Sequence, residues 1–180
     1  MEFLVLRLRR DAFCFIIVLF LFTLALPAEA MGSHLDTVVQ GGHFDGVAGV
    51  VAALEVVAML QDEALRHPLE VIVFMSEESA PFGYATIGSK LACGKAMPQD
   101  FAKPVKAGAS TYVEALQKRG FDPERYREAL LQPENFKAFF ELHIEQGKVL
   151  YEAREQIGIV ENIAAPTRFK VTVEGLADHS

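Results

Sequence analysis

Glu70-Val71-Ile72-Val73-Phe74-Met75, followed at once by Ser76-Glu77-Glu78, is the stretch on which the fold turns. Six nearly continuous apolar positions read as a strand buried on both faces, the signature of a parallel sheet covered by helices. Two adjacent carboxylates stand where that strand ends. Upstream, Gln40-Gly41-Gly42-His43-Phe44-Asp45-Gly46 is a glycine-rich loop, and an Ala-rich helix is expected from about Ala48 to Arg66. Val50, Leu54, Val57, Ala58 and Leu60 would face the core, and His67-Pro68 would stop the helix.

Downstream, Ile87 to Ala96 is expected to be helical and Gln99 to Gly108 to be loop. Thr111 to Arg119 is expected as a helix, with Thr111-x-x-Glu114 as capping box and Gly120 as stop. Asp122-Pro123 opens another, with Asp as cap and Pro in the first turn. Phe139 to Ile144 reads as a strand. Gln146-Gly147 then turns into a short helix ending near Arg154, and Ile157 to Ile163 reads as a further strand. From Thr167 to Glu174 the pattern changes: Phe169, Val171 and Val173 alternate with Arg168, Lys170 and Thr172, as in an antiparallel strand with one wet face. A second domain is therefore expected at 167–180. The alternation of strands and helices makes the chain α/β.

The 180 residues are 51% hydrophobic and 23% charged, which excludes disorder as the main state. A formal charge of −7, with no basic stretch beyond Arg7 to Arg10, argues against nucleic acid as a partner. Two cysteines are too few for a disulfide framework. Much of the hydrophobicity lies in residues 1–30: Arg7, Arg9 and Arg10 precede an apolar run from Ala12 to Leu26, then Pro27-Ala28-Glu29-Ala30. That order matches a signal peptide or a membrane anchor; the alternative is an extension that targets nothing. The first reading implies a secreted, periplasmic or membrane-anchored protein that meets the membrane only through this leader, the second a cytoplasmic one. Cys93 is read as a small core or helix-packing residue.

Three polar clusters follow three apolar segments: His34-Leu35-Asp36 with Asp45 after the loop, Glu77-Glu78, and Glu141-Leu142-His143-Ile144-Glu145-Gln146. In α/β sheets ligands gather where strands end. Imidazoles and carboxylates converging there suit a borderline divalent ion such as Zn²⁺, Mn²⁺ or Ni²⁺. In an extended segment His34 and Asp36 point the same way, so Asp36 is placed to orient or support a ligating His34. Glu77 and Glu78 splay apart, so that one can hold a metal while the other accepts a proton.

Gly32-Ser-His-Leu-Asp-Thr37, Gly41-Gly-His-Phe-Asp-Gly-x-x-Gly-Val50, Glu77-Glu-Ser-x-x-Phe-Gly83, Ile87-Gly-Ser-Lys90 and Glu141-Leu-His-Ile-Glu-Gln-Gly147, in this order, resemble the amidase/hydantoinase-carbamoylase family of binuclear metallohydrolases. That family includes N-carbamoyl-L-amino-acid hydrolase, β-ureidopropionase and allantoate amidohydrolase, and belongs to the aminoacylase/carboxypeptidase (zinc exopeptidase) superfamily. The resemblance runs from about Met31 to Ser180. It implies a partial catalytic domain over 31–166 and the first strand of a lid and dimerisation domain over 167–180. It implies two divalent ions, Zn or Mn with Ni or Co as alternatives. His34 and His143 would ligate one, Glu78 the other, and Asp45 would bridge them. Asp36 would support from behind. Glu77 would be the general base on the water between the metals. Gln146, and His179 of a Gly-x-Ala-x-His motif, would contact substrate. The implied reaction is hydrolysis of a ureido or carbamoyl C–N bond in a linear amide, allantoate or an N-carbamoyl-L-amino acid, and the implied assembly is a homodimer.

The resemblance has gaps. Ala80-Pro81 stands where the family has an Arg before the Phe, a folded segment is expected before the first motif, and a last ligating His is expected beyond residue 180. The chain is thus expected to be a piece of such an enzyme, poorly folded or inactive by itself. Two alternatives accompany the main reading: an aminoacylase or dipeptidase of the same superfamily, and an inactive remnant.

Overall fold

The structure is a computed structural model that describes residues 5–7, 18–20, 26–79, 81–104, 108–164, 167, 169 and 171–176. The chain divides into two compact units, Met1–Ile144 and Glu145–Ser180.

The first unit is built on a five-stranded sheet. Its strands are β1 (Val5–Arg7), β2 (Val18–Phe20), β3 (Ala28–His34), β4 (Leu69–Phe74) and β5 (Phe136–Phe140), in the spatial order β1-β2-β4-β3-β5. β3 is parallel to both β4 and β5, and β2 is antiparallel to β4 and β1. As expected from its apolar run, β4 is buried from Leu69 to Val73. Helix α1 (Val47–Met59) crosses from β3 to β4. It buries Val50 and Val57 as expected, with Gly49 and Ala53 completing the stripe, while Leu54 and Ala58 face outward. The helix ends at Met59, well before Arg66: Gln61-Asp62-Glu63 continues as turns.

Helix α2 (Ile87–Ala92) is shorter than expected and ends at Cys93, which is exposed rather than packed in the core. Helix α3 (Tyr112–Lys118) carries the expected capping box: Thr111 Oγ1 accepts from Glu114 N at 3.1 Å, and the Glu114 carboxylate accepts from Thr111 N at 2.8 Å. Asp122 caps the next turn as expected, but Pro123–Ala129 is a 3₁₀ helix. Ile87, Leu91, Phe101, Tyr112 and Leu116 form one core cluster, in which Tyr112 meets Phe82 and Phe101 edge to face.

β3 spans the point where the leader is expected to meet the catalytic segment. The boundary between residues 30 and 31 falls inside this strand, and Val18–Phe20, within the apolar run, pairs with β4. Ala28 and Ala30 are buried, and Ala30 packs against Ile72 and Ala92. Small residues two apart suit a signal-peptide ending, and they equally suit a strand pressed under a helix. Most of the run from Ala12 to Leu26 lies outside the described residues. Among the described residues, no helix is long and apolar enough to cross a membrane.

In the second unit, helix α4 (Val149–Ala153) matches the expected short helix. The Glu145 carboxylate closes its start, accepting from Leu150 N at 3.0 Å and Tyr151 N at 3.4 Å. The strands expected at Ile157 to Ile163 and at Thr167 to Glu174 are not formed by the described residues there. Ile159, Ile163, Phe169, Val171 and Val173 are exposed. An alternating pattern makes a strand only where a neighbouring strand takes its hydrogen bonds, and none pairs with these residues among those described.

Candidate metal centre

The site lies at the C-terminal edge of the three parallel strands, the place where open α/β sheets bind ligands. His34 ends β3 and is almost fully buried. Its Nδ1 lies 2.8 Å from the main-chain oxygen of Asp36, which leaves Nε2 facing the site. Gly46, the residue before α1, lies against this ring. A Cβ there would come within 2.5 Å of the imidazole, and the Gly46 φ of +68° is one that L side chains rarely adopt.

Glu77 and Glu78 are held by their backbone. Asp36 Oδ1 accepts from Glu77 N at 3.2 Å and Oδ2 accepts from Glu78 N at 2.9 Å. From the other side, Thr86 N donates to Glu77 O at 2.6 Å, Ile87 N to Ser76 O at 3.0 Å and Gly88 N to Met75 O at 3.0 Å. A Cβ on Gly88 would sit 2.3 Å from the Met75 carbonyl oxygen, so that only glycine allows α2 to approach the end of β4 this closely. Ser76 and Thr86 both adopt positive φ, of 55° and 58°; such strain in non-glycine residues persists where the surroundings enforce it. Below the turn, burial pushes the Tyr112 phenol far above its ordinary range, and its hydrogen bond with Ser76 opposes that rise only in part.

Asp36 meets His34 through its main chain more closely than through its side chain. Its carboxylate is 4.0 Å from His34 Nδ1, and its close partners are the amides of the two glutamates. It supports the acidic turn directly and the imidazole through its main-chain oxygen.

The third cluster arrives from β5. His143 Nε2 stands 3.2 Å from Asp45 Oδ1, and the His34 and His143 rings lie 5.9 Å apart between centroids. Ser33 Oγ donates to Glu141 Oε1 at 2.6 Å. The sequence names Glu141 only as a member of the third cluster and Ser33 only within the first motif; their pairing was missed, since nothing local links two residues so far apart.

Two groups of potential ligand atoms each gather within 4.8 Å: His34, Asp45 and His143, and His34, Glu77 and Glu78. His34 Nε2 is 4.0 Å from Glu77 Oε2. The residue common to both groups is His34, whereas the resemblance expects Asp45 to be shared. One free imidazole nitrogen serves one ion, while a carboxylate has oxygens for two, so the chemistry still suits Asp45 as the bridge. The charge balance fits cations as well. Burial, then Glu77 and Asp45, push the Glu78 carboxyl above its ordinary value, with His34 opposing. Crowded carboxylates beside imidazoles are the donor set that borderline divalent ions take. Gln146 falls in the second unit with a positive φ of 56°, and His179 lies outside the described residues.

The chain is 41% identical over 152 residues to an N-carbamoyl-L-amino acid amidohydrolase of Geobacillus stearothermophilus, covering 83% of this chain and 37% of that protein. It is 38% identical over 159 residues to an allantoate amidohydrolase of Escherichia coli, covering 86% of this chain and 38% of the relative. The crystal structure of a hydantoinase/carbamoylase family amidase from Burkholderia ambifaria superposes with a TM-score of 0.65 at 35% identity, over 78% of this chain and 34% of that one. The chain thus spans less than two fifths of the length of the relatives it matches. Residues 30–179 match a single family description, and with a partial α/β catalytic fold carrying its donors at the strand ends, the chain belongs to Peptidase family M20/M25/M40.

Proposed function

We propose that this site serves metal-dependent hydrolysis of a ureido or carbamoyl C–N bond, with allantoate or an N-carbamoyl-L-amino acid as substrate. The observation that carries the reading is the convergence of His34, Asp45 and His143 beside the Glu77-Glu78 pair, one residue set from each of three parallel strand ends. Relatives named for carbamoyl-amino-acid and allantoate hydrolysis support the ureido substrate over a peptide.

His34, His143 and Asp45 would hold one divalent ion, and Glu78 with Asp45 a second; zinc or manganese suits these donors. Bound there, the ions supply Lewis acidity to the scissile carbonyl and to the attacking water. Glu77 takes the proton from that water and passes it to the leaving nitrogen. Its main chain is fixed on both sides, so the carboxylate works from a rigid base. Asp36 holds that base in place, and Gly46 leaves room for the His34 ring.

The test is a hybrid enzyme in which residues 28–164 replace the matching segment of the Geobacillus amidohydrolase. Release of ammonia from allantoate or N-carbamoyl amino acids, lost on Glu77→Gln, is the expected result. Turnover confined to N-acetyl amino acids or dipeptides would move the assignment to the deacylase and peptidase branch of the family.

A further inference from the structure

We infer that Ser33 and Glu141 form a positioning strap that sets His143 opposite His34; this rests on the metal-centre reading above. The parallel pairing of β3 and β5 is registered through Met31 and Phe140. Beyond that point the two strands need another tie if the residues that follow are to meet at one site. The Ser33 hydroxyl, nearly fully buried, donates to the Glu141 carboxylate at 2.6 Å, across 108 residues of sequence. Ser33 immediately precedes His34, and Glu141 lies two residues before His143. The strap thus joins the two histidine-bearing segments one step behind their imidazoles.

The packing beside it limits the alternatives. A Cβ on Gly49 of α1 would sit 2.3 Å from the Leu142 carbonyl oxygen and 2.8 Å from Ser33 Cβ. The helix thus presses on both partners' segments, and Leu142 has no room to drift toward it. On the open side, His143 has Asp45 at 3.2 Å and the carbonyl of Ile144 at 2.9 Å from Nδ1. Asp45 is itself a candidate ligand, so it cannot serve as a fixed anchor when an ion is bound. Among the described residues, a side-chain hydrogen bond ties this segment to β3, the one from Ser33 to Glu141. Its short length is that of a hydroxyl donating to a charged carboxylate, among the stronger neutral-to-ionic bonds. Neither residue is within the candidate ligand groups, so the two act through His143 and not on substrate.

The test uses the full chain without metal and then with Zn²⁺. In the metal-free protein, a nuclear Overhauser contact between the His34 and His143 rings reports their approach. Glu141→Ala and Ser33→Ala are expected to remove that contact while far-ultraviolet circular dichroism stays native. Glu141→Gln, which keeps an acceptor oxygen, is expected to restore it. In zinc titrations the alanine variants should weaken the His34–Asp45–His143 site by roughly 10–100-fold, the usual effect of losing a partner behind a ligand. The Ser33→Ala and Glu141→Ala effects should not add, because each breaks the same bond. A ring contact that survives both alanine substitutions, or additive effects of the two, would overturn the strap. If the ring contact behaves as expected and the wild-type chain binds no zinc, the metal-centre reading fails and the strap stands.

Discussion

The acidic turn and the histidine arm reach the same site by different kinds of bond. Glu77 and Glu78 are held by their own main chain: their amides donate to the Asp36 carboxylate, and the carbonyls of Met75, Ser76 and Glu77 accept from the first amides at α2. His143 hangs on side chains, through Ser33, Glu141 and Asp45. Main-chain bonds survive most substitutions of the residues that make them, whereas a side-chain bond disappears with one change. Glu77, the proposed general base, therefore sits on the more heavily determined half, and His143, proposed to hold an ion together with His34, sits on the half that is easier to retune.

The largest expected effect sharpens the role of the acidic half. In the hybrid enzyme, Glu77→Gln should lower kcat by about 10²–10⁴-fold, the usual contribution of a positioned proton carrier, with zinc content unchanged. Asp36→Ala probes the same half from the other direction, because it removes the carboxylate that accepts from both glutamate amides. It should cost about 1.5–3 kcal/mol in urea denaturation, allowing for the partial exposure of the carboxylate. Gly88→Ala forces α2 away from Met75 and should cost about 1–3 kcal/mol by the same measurement, with kcat of the hybrid enzyme falling alongside.

Glu78→Gln gives the smallest effect and has the opposite sign. Because burial and neighbouring carboxylates raise the Glu78 pKa in the folded chain, the fold favours the protonated form. That contribution is present at low pH and is lost as pH rises through the raised value. The glutamine variant should thus stabilise the metal-free chain at pH 7, by less than about 1 kcal/mol given the solvation of the group, and the gain should vanish below the ordinary carboxylate range. A metal-free variant less stable than wild type at pH 7 would break the electrostatic account of this half.

Much of this was legible in the chain itself. The apolar run of β4, the Thr111-x-x-Glu114 box and the Asp122-Pro123 start are local signals, and each formed as its chemistry dictates. His34, Asp45, Glu77, Glu78 and His143 were legible because each follows an apolar segment, and they converge as expected. The strand at Ala28 to His34 was not foreseen, because small residues two apart serve a cleavage site and a crowded strand alike. The strands at 157–163 and 167–174 were legible as patterns, but a pattern does not supply a pairing partner. The true partners of Asp36 and the bond from Ser33 to Glu141 join residues distant in sequence, and no local spacing announces them.

If the C-terminal edge of this sheet is a metal centre, His34 is indispensable to it, because it belongs to both groups of potential ligand atoms. Zinc bound per chain after equilibrium dialysis, measured on the wild type and on His34→Ala, tests it most directly. The account predicts that the wild-type chain retains zinc and that His34→Ala loses it while keeping its native circular dichroism. Equal zinc content in the two proteins, or none in the wild type, would contradict it.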